Sequence, residues 1–207
     1  MSAADFVPAG ASLDELRDAA QGCRGCELWE GATQAVFSAG DPRARVVLVG
    51  EQPGDQEDRQ GQPFVGPAGR LLVQAIDEAG ISREATYRTN AVKHFRFTQS
   101  APGKRRIHQT PDRIHIEACR PWLNAELALL DPDVIVCLGA TAAKALLGPS
   151  FRVTKQRGEV FSREVVDGGA GSVVATIHPS AVLRADNRDV AYDGLVADLR
   201  VVARLLG

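Results

Sequence analysis

The sequence has no long hydrophobic run, and its charges nearly cancel. No apolar stretch approaches the roughly 20 residues that a membrane-spanning helix needs. The first residues, MSAADFVPAGASLDEL, lack the basic start and the apolar stretch of a signal peptide. The 24 Lys and Arg residues and 26 Asp and Glu residues leave a formal net charge of −2, so the overall charge does not indicate a nucleic-acid-binding protein. These absences predict a cytoplasmic protein with no membrane partner.

Internal repeats, linkers and low-complexity tracts are also missing. The chain is 44% hydrophobic and 24% charged, which is typical of a folded soluble protein. Its 207 residues are enough for one domain with a substantial core. We therefore predict a single domain over residues 1–207, with a basic loop over residues 100–113 between two elements.

Short apolar runs alternate with segments of helical periodicity. Strands are predicted at 44–50, 86–92, 133–140 and 172–180, and helices at 67–80, 110–130, 141–148 and 188–206. In the third helix, Thr141 is expected to be the N-terminal cap and Gly148 to end the helix. Because the strands are almost continuously apolar and helices separate them, the pattern predicts a three-layer α/β/α fold with a mainly parallel central sheet.

Polar residues follow three of the four predicted strands. The first is followed by GEQPGDQED, the second carries Asn90 and leads into VKHFRF, and the fourth ends in HPS. Ligands bind beyond the carboxyl ends of the strands in such sheets, so we expect these groups to converge on one cleft. A generic nucleotide-binding protein is disfavoured, since VGEQPGD lacks the G-x-G-x-x-G pattern and no Walker-type lysine follows a Gly-rich loop.

The four cysteines include one close pair, Cys23 and Cys26. In a cytoplasmic chain, C-x-x-C favours a metal, a cluster or a redox pair over a structural disulfide. A thioredoxin-like pair would follow a strand, whereas this one follows the helix-like LDELRDAA, which favours a metal or cluster. Two further ligands are then needed. Cys119 is the stronger candidate because Cys137 lies in an apolar strand, and composition alone leaves the fourth ligand open, with His94 among the candidates.

Three motifs resemble those of the iron-sulfur uracil-DNA glycosylases in order and spacing. They are GEQPGDQEDRQGQPFVGPAGRLL at 50–72, TNAVKH at 89–94 and HPSAVLR at 178–184. The resemblance runs nearly end to end and implies a uracil-DNA glycosylase-like fold. The sequence departs from the common members at the third cluster ligand, where His94 stands in place of a cysteine. The interval from His94 to Cys119 is also longer, and the extra residues fall in the basic loop.

These two departures together resemble the subgroup called UdgX-type uracil-DNA glycosylases. Its members have a histidine as third ligand and an inserted loop of the form KRRIH, matched here at residues 104–108. The resemblance implies a [4Fe-4S] cluster bound by Cys23, Cys26, His94 and Cys119. Imidazole replaces thiolate in some clusters, so histidine ligation is chemically reasonable. We expect the cluster to have a structural role without a redox step.

The resemblance also implies how uracil would be bound and released. Phe64 would stack on the extruded base, and the Asn90 amide would pair with uracil O4 and N3–H but mismatch the reversed edge of cytosine. Gln52 and Asp55 would line the far side of the pocket. His178 would donate a hydrogen bond to O2 and stabilise the departing uracil anion.

Further side chains near these motifs have roles implied in the same way. Ser180 and Arg184 would hold DNA phosphates, and Leu183 would act as a wedge in the base stack. Glu57, or bulk near it, is a candidate for excluding the methyl group of thymine.

For His108, the subgroup implies that the imidazole attacks C1′ of the sugar and stays attached. An imidazole is a good neutral nucleophile when a base accepts its other proton, and Glu51 is the expected base. The product is a neutral N-alkylimidazole, a poor leaving group, so each molecule would act once. Arg106 is expected to fix the loop, while Lys104 and Arg105 would attract phosphate.

The expected partner is uracil-containing, single-stranded DNA, with free uracil as a product and the protein acting as a monomer. Two alternatives remain at this point. One is a conventional glycosylase that turns over and releases a free abasic site, with His108 only lying over the DNA. The other is a non-catalytic iron-sulfur DNA-binding module, which would form neither product.

Overall fold

A computed structural model describes residues 2–101, 103–164 and 169–207. Pro102, in the predicted basic loop, therefore lies outside the described residues. The strands are β1 (Ser38–Gly40), β2 (Val46–Gly50), β3 (Thr86–Asn90), β4 (Phe97–Thr98), β5 (Ile107–His108), β6 (Val134–Leu138), β7 (Val160–Ser162) and β8 (Ser172–Thr176). The α-helices are α1 (Leu13–Ala20), α2 (Leu28–Gly31), α3 (Asp55–Gln60), α4 (Pro67–Glu78), α5 (Arg113–Leu130), α6 (Gly139–Leu147), α7 (Val153–Gln156), α8 (Pro179–Leu183) and α9 (Arg188–Leu206).

Six strands form the central sheet, in the order β1-β3-β2-β6-β8-β7. The four inner strands are parallel, and the edge strands β1 and β7 are antiparallel to their neighbours. The prediction of a mainly parallel sheet is confirmed. β4 and β5 form a separate two-stranded hairpin outside this sheet.

Alternate residues of the inner strands pack against different helices. Val46 and Leu48 belong to a core with α4 and α9. Val47 and Val49 belong to a second core with α5 and α6. Successive side chains of a strand point to opposite faces, so helices cover both faces of the sheet, as predicted for three layers.

A third apolar cluster joins the N-terminal segment to α5. It includes Leu16 of α1, Phe37 and Trp122, together with three of the four cysteines. The Phe37 and Trp122 rings meet edge to face with centroids 5.9 Å apart. Burial of these large rings fixes the first part of the chain against the sheet and α5.

Two predicted helix starts are wrong. The long helix begins at Arg113, not at residue 110, because Asp112 is its N-terminal cap and the Asp112 N–H donates to His115 Nδ1 at 2.9 Å. The next helix begins at Gly139, directly after β6, so Thr141 lies within its first turn and is not the cap. Gly139 has φ of +89°, a conformation that lets strand and helix join without a linker. Gly148 ends α6, as predicted.

Helices long and apolar enough to cross a membrane are absent from the described parts of the chain.

Candidate active site and cluster-binding cavity

The four parallel strands end at one level of the sheet. Gly50 of β2 pairs with Asn90 of β3, and Leu138 of β6 pairs with Thr176 of β8. The residues that follow these pairs therefore emerge along one edge. Polar groups from this edge come together there, as the sequence predicts.

Gly50 leaves room for two candidate substrate-binding side chains. A Cβ on Gly50 would lie 2.3 Å from Asn90 Oδ1 and 2.7 Å from Phe64 Cζ. Phe64 itself has φ of 60°, a conformation that is uncommon for a bulky residue. Its backbone packs so closely on α4 that a Cβ on Gly69 would lie 1.8 Å from the Phe64 carbonyl oxygen. The Phe64 ring and the Asn90 amide therefore both lie against Gly50, where no side chain separates them.

The ring of His178 faces the ring of Phe64. Their centroids are 6.3 Å apart and the planes are inclined by 25°. His178 also packs against the start of α6, where a Cβ on Gly139 would lie 2.9 Å from His178 Cβ. Two of the predicted site residues, Phe64 and His178, therefore share one pocket region with Asn90.

The hydrogen bonds of His178 identify its donor atom. Its Nδ1 accepts from the Ser180 backbone N–H at 3.1 Å and lies 2.8 Å from the Ser180 hydroxyl oxygen. Burial, with contributions from Arg184 and His108, lowers the pKa of His178 to about 4. The ring is therefore neutral at pH 7, and its proton is on Nε2. A neutral histidine in this state offers one N–H donor toward a ligand.

Glu51 connects two elements at the strand edge. Its Oε1 lies 3.4 Å from His108 Nε2 on the β4–β5 hairpin. Its Oε2 accepts a hydrogen bond from the hydroxyl of Thr141 in α6. Burial lowers the pKa of His108, and the charge of Arg184 lowers it further while Glu51 opposes the shift. His108 is therefore a neutral imidazole with a carboxylate beside it, as a histidine nucleophile requires.

The hairpin that carries His108 is fixed by Arg106. Its guanidinium forms ion pairs with Asp55 and with Asp58, whose side chain is 0% exposed. The same group lies over the rings of Phe95 and Phe97, 5.3 and 4.9 Å from their centroids. Arg106 is thus committed to holding the hairpin on α3, which agrees with its expected role in fixing the loop.

The side chains of Gln52 and Asp55 are also engaged with the hairpin. Gln52 Nε2 donates to the carbonyl oxygens of Arg96 and Gln109, both at 3.1 Å, and its Oε1 accepts from the Arg96 N–H at 3.0 Å. Burial alone would raise the pKa of Asp55, but hydrogen bonds from Arg106 and Arg59 lower it. Both side chains therefore support the hairpin. Their role in lining the far side of the uracil pocket stays a prediction.

Glu57 holds two loop segments together. Its carboxylate accepts from the Gly54 N–H at 3.1 Å and from the Gly66 N–H at 2.7 Å. These glycines are the N-terminal caps of α3 and α4. The carboxylate therefore braces the segment that contains Phe64. A role for Glu57, or bulk near it, in excluding thymine stays a prediction.

The remaining candidates lie around α8 and the tip of the hairpin. Ser180 is half-buried beside His178, Leu183 is half-buried and Arg184 is exposed. Lys104 and Arg105 are exposed. These exposed cations are free to meet phosphate groups.

The four predicted cluster ligands surround one cavity. Its lining comprises Ala3, Cys23, Gly25, Cys26, Lys93, His94, Ala118, Cys119 and Trp122. The four cysteines are free thiols. His115 is not part of the lining, because its Nε2 lies 2.7 Å from Glu27 and its other nitrogen accepts from the helix cap.

The donor groups around this cavity fit an iron-sulfur cluster by their chemistry. Three free thiols and one imidazole are ligands that such clusters take. Cys23 Sγ accepts from Trp122 Nε1 and Cys119 Sγ from the Lys93 N–H, both at 3.3 Å. Such hydrogen bonds to sulfur are typical of cluster sites.

Sequence patterns did not identify Thr141 or Asp58 as part of the site. Thr141 reaches Glu51 only because α6 starts two residues earlier than predicted. Asp58 looks like an ordinary polar residue of a short helix, but it is buried, pairs with Arg106 and accepts from the Thr33 N–H at 2.9 Å. Neither contact has a local sequence signal, since both join distant parts of the chain.

Comparison with known proteins gives consistent matches. The family model of the uracil DNA glycosylase superfamily matches residues 37–200. The type-4 uracil-DNA glycosylase of Archaeoglobus fulgidus is 34% identical over 200 residues, which cover 95% of this chain and 94% of the relative. That of Sulfurisphaera tokodaii is 35% identical over 182 residues, covering 83% and 76%. A type-5 uracil-DNA glycosylase of Thermus thermophilus is 35% identical over 139 residues, covering 60% and 58%.

Proposed function

Because the chain belongs to the uracil DNA glycosylase superfamily, we propose that it excises uracil from DNA and then becomes joined through His108 to C1′ of the abasic sugar. Uracil-DNA glycosylase activity is supported by its similarity to type-4 enzymes over most of both lengths. The crosslinking step goes beyond those relatives. The observation that carries it is the 3.4 Å approach of Glu51 Oε1 to His108 Nε2, beside the pocket of Phe64 and Asn90.

Uracil is bound between an aromatic ring and an amide. Phe64 stacks on the base, and the Asn90 amide offers a donor to O4 and an acceptor to N3–H. Cytosine presents the opposite donor and acceptor at these atoms and would leave the buried amide unpaired. We propose single-stranded DNA as the substrate because an unpaired base enters such a pocket without the cost of opening a duplex.

Excision breaks the C1′–N1 bond, and its electron pair leaves with uracil. The negative charge on the base is stabilised by the Nε2–H of neutral His178, which donates to O2. The 3.1 Å hydrogen bond from the Ser180 N–H to Nδ1 holds the ring in the required tautomer. The sugar is left as a cation at C1′.

The imidazole of His108 then captures this cation. One ring nitrogen forms the bond to C1′, and the proton on the other passes to the Glu51 carboxylate. The product is a neutral N-alkylimidazole. Because this group is a poor leaving group, each protein molecule reacts once. The tight attachment of the hairpin through Arg106 keeps the ring over the pocket during this step.

A [4Fe-4S] cluster bound by Cys23, Cys26, His94 and Cys119 is part of this proposal. Burial lowers the pKa of His94 to about 4, so the ring is neutral and has a lone pair for iron. When bound, the cluster supplies a structural crosslink between the N-terminal segment, the residues after β3 and α5. The chemistry at C1′ is carried by the side chains of the strand edge.

A conventional, multiple-turnover glycosylase is the second candidate. It is favoured by the similarity to type-4 enzymes, which extends over nearly the whole of the Archaeoglobus fulgidus relative. In this case water, not His108, captures the sugar cation, and a free abasic site is released.

Mass spectrometry after incubation with a uracil-containing single-stranded oligonucleotide separates the candidates. We expect an intact mass equal to protein plus oligonucleotide minus uracil, and peptide mapping should locate the adduct on His108. His108→Ala should form no adduct and leave an abasic product. An abasic product without an adduct from the unmodified chain contradicts crosslinking, and the absence of both products indicates a DNA-binding module.

The cluster assignment is tested with two cysteine variants. Cys119→Ala should lose iron, sulfide and visible absorption, because it removes a ligand. Cys137→Ala is the matched control, since Cys137 lies in the apolar core of β6 and should keep the cluster at a cost of about 1 kcal/mol of stability. Equal iron content in the two variants would contradict the assignment.

A further inference from the structure

We propose that Thr141 is a positioning residue that directs Glu51 toward His108. Its hydroxyl donates a hydrogen bond to Oε2 of Glu51, while Oε1 of the same carboxylate lies 3.4 Å from His108 Nε2. The inference deepens the proposed function and rests on it, because Glu51 matters here as the base for His108.

The Thr141 hydroxyl has Glu51 as its hydrogen-bond partner. Helix α6 starts at Gly139 and its N-terminal cap is Leu138, so Thr141 does not cap the helix with its side chain. The residue is only 7% exposed, and a buried hydroxyl needs a hydrogen-bond partner inside the protein. In the described part of the chain, that partner is Glu51.

The hydrogen bond restricts a carboxylate that otherwise has freedom to turn. The Glu51 side chain is 22% exposed and stands at the open edge of the sheet. Threonine is stiff at χ1, and Thr141 sits in the first turn of a helix whose start packs against His178. A hydroxyl fixed in this way sets the plane of the carboxylate, and the second oxygen is then aimed at the imidazole.

The hydrogen bond from Thr141 to Glu51 affects the rate at which His108 bonds to the sugar, not the rate at which uracil is released. When His108 bonds to C1′, its proton passes to the carboxylate oxygen that faces it, while the other oxygen keeps the hydrogen bond from Thr141. Cleavage of the C1′–N1 bond depends on His178, whose hydrogen bonds in the described chain are with Ser180. Loss of the hydroxyl should therefore slow adduct formation much more than uracil release.

The test compares Thr141→Val, which keeps the shape without the hydroxyl, with Thr141→Ser, which keeps the hydroxyl. Each protein is mixed in excess with a uracil-containing single-stranded oligonucleotide, and released uracil and covalent adduct are followed in time. Adduct formation by T141V should fall roughly tenfold, the effect expected for a lost hydrogen bond to a charged group. Uracil release should stay within about twofold, and T141S should match the unmodified chain.

Thr154→Val is the matched control, since Thr154 is an exposed residue of α7. It should leave both rates unchanged. Thermal unfolding reports whether each variant is folded, and if T141V is not, T141S and Thr141→Ala provide the same comparison.

Three outcomes overturn the inference. The first is a normal rate of adduct formation by T141V. The second is a rate of adduct formation by T141S that is as low as that of T141V. The third is an equal fall in the rates of uracil release and adduct formation in T141V. Release without any adduct from the unmodified chain refutes the proposed crosslinking itself, and with it the role of Thr141. The unmodified chain thus separates failure of the positioning role from failure of the proposed function.

Discussion

At the scale of single residues, Gly50 decides whether a base fits the pocket. In Gly50→Ala the new Cβ would lie 2.3 Å from Asn90 Oδ1 and 2.7 Å from Phe64 Cζ. We expect both side chains to be displaced and uracil release to fall by about a hundredfold. The rate of uracil release from single-stranded DNA measures this, with circular dichroism to verify the fold. An alanine variant with full activity would contradict the proposed pocket.

The two site histidines should give the two reaction steps different pH dependences. The pKa of His108 is lowered mainly by burial, and that of His178 is lowered to about 4. As the pH falls below 6.5, the usual pKa of histidine, and then below the lowered pKa of His108, this ring gains a proton and loses its nucleophilic lone pair. His178 stays neutral until the pH nears its own pKa of about 4. Adduct formation should therefore decline while uracil release persists, and free abasic sites should accumulate.

This pH prediction is checked by quantifying adduct and free uracil over a pH series with one oligonucleotide. A parallel decline of both products would contradict separate roles for the two histidines.

At the scale of elements, the β4–β5 hairpin depends on one arginine, Arg106, that pairs with a buried aspartate. Arg106→Ala leaves Asp58, 0% exposed, without its cationic partner. Removing one member of a buried ion pair costs about 3 kcal/mol, so we expect a clear loss of stability in urea unfolding. Adduct formation should fall more than uracil release, because His108 loses its support.

Arg105→Ala is the control for this prediction. Arg105 is the exposed neighbour in the same loop, and its removal should change stability by no more than about 0.5 kcal/mol. Equal stability of the two variants would contradict the anchoring role of Arg106.

The inner strands were predictable because each is a short, fully buried apolar run. β2 and β6, for example, are VVLVG and VIVCL with every residue buried. The edge strands β1 and β7 have only three residues each, SAG and VFS, and their pairing with the sheet leaves no periodic signal. The start of α6 was missed because a Thr near a helix start resembles a cap, whereas Gly139 makes the turn.

The convergence of the strand ends was predictable for the same reason. Parallel strands carry their following residues to one edge, so Glu51, Asn90 and His178 were expected to lie together. The contacts of Thr141, Gln52 and Asp58 were not predictable, because they depend on how α6 and the hairpin fold back on that edge.

At the scale of the whole molecule, a net charge of −2 limits how DNA is bound. The cations assigned here to phosphate contacts, Lys104, Arg105 and Arg184, are exposed. Three contacts with single-stranded phosphates predict a slope of about −2 for log affinity against log salt. Fluorescence anisotropy with an oligonucleotide that lacks uracil measures this slope. A slope steeper than about −5 would indicate a broad basic surface.

The short hairpin also limits where the chain can vary in length. Arg106 and His108 both lie against Phe95, whereas Ile107 between them is 57% exposed. Since side chains alternate along a strand, inserting or deleting one residue between the anchor and the nucleophile would turn the imidazole outward. Lys104 and Arg105, on the other side of Arg106, are exposed and have no such restriction. The length of the loop can therefore vary before Arg106, but the spacing between Arg106 and His108 cannot change.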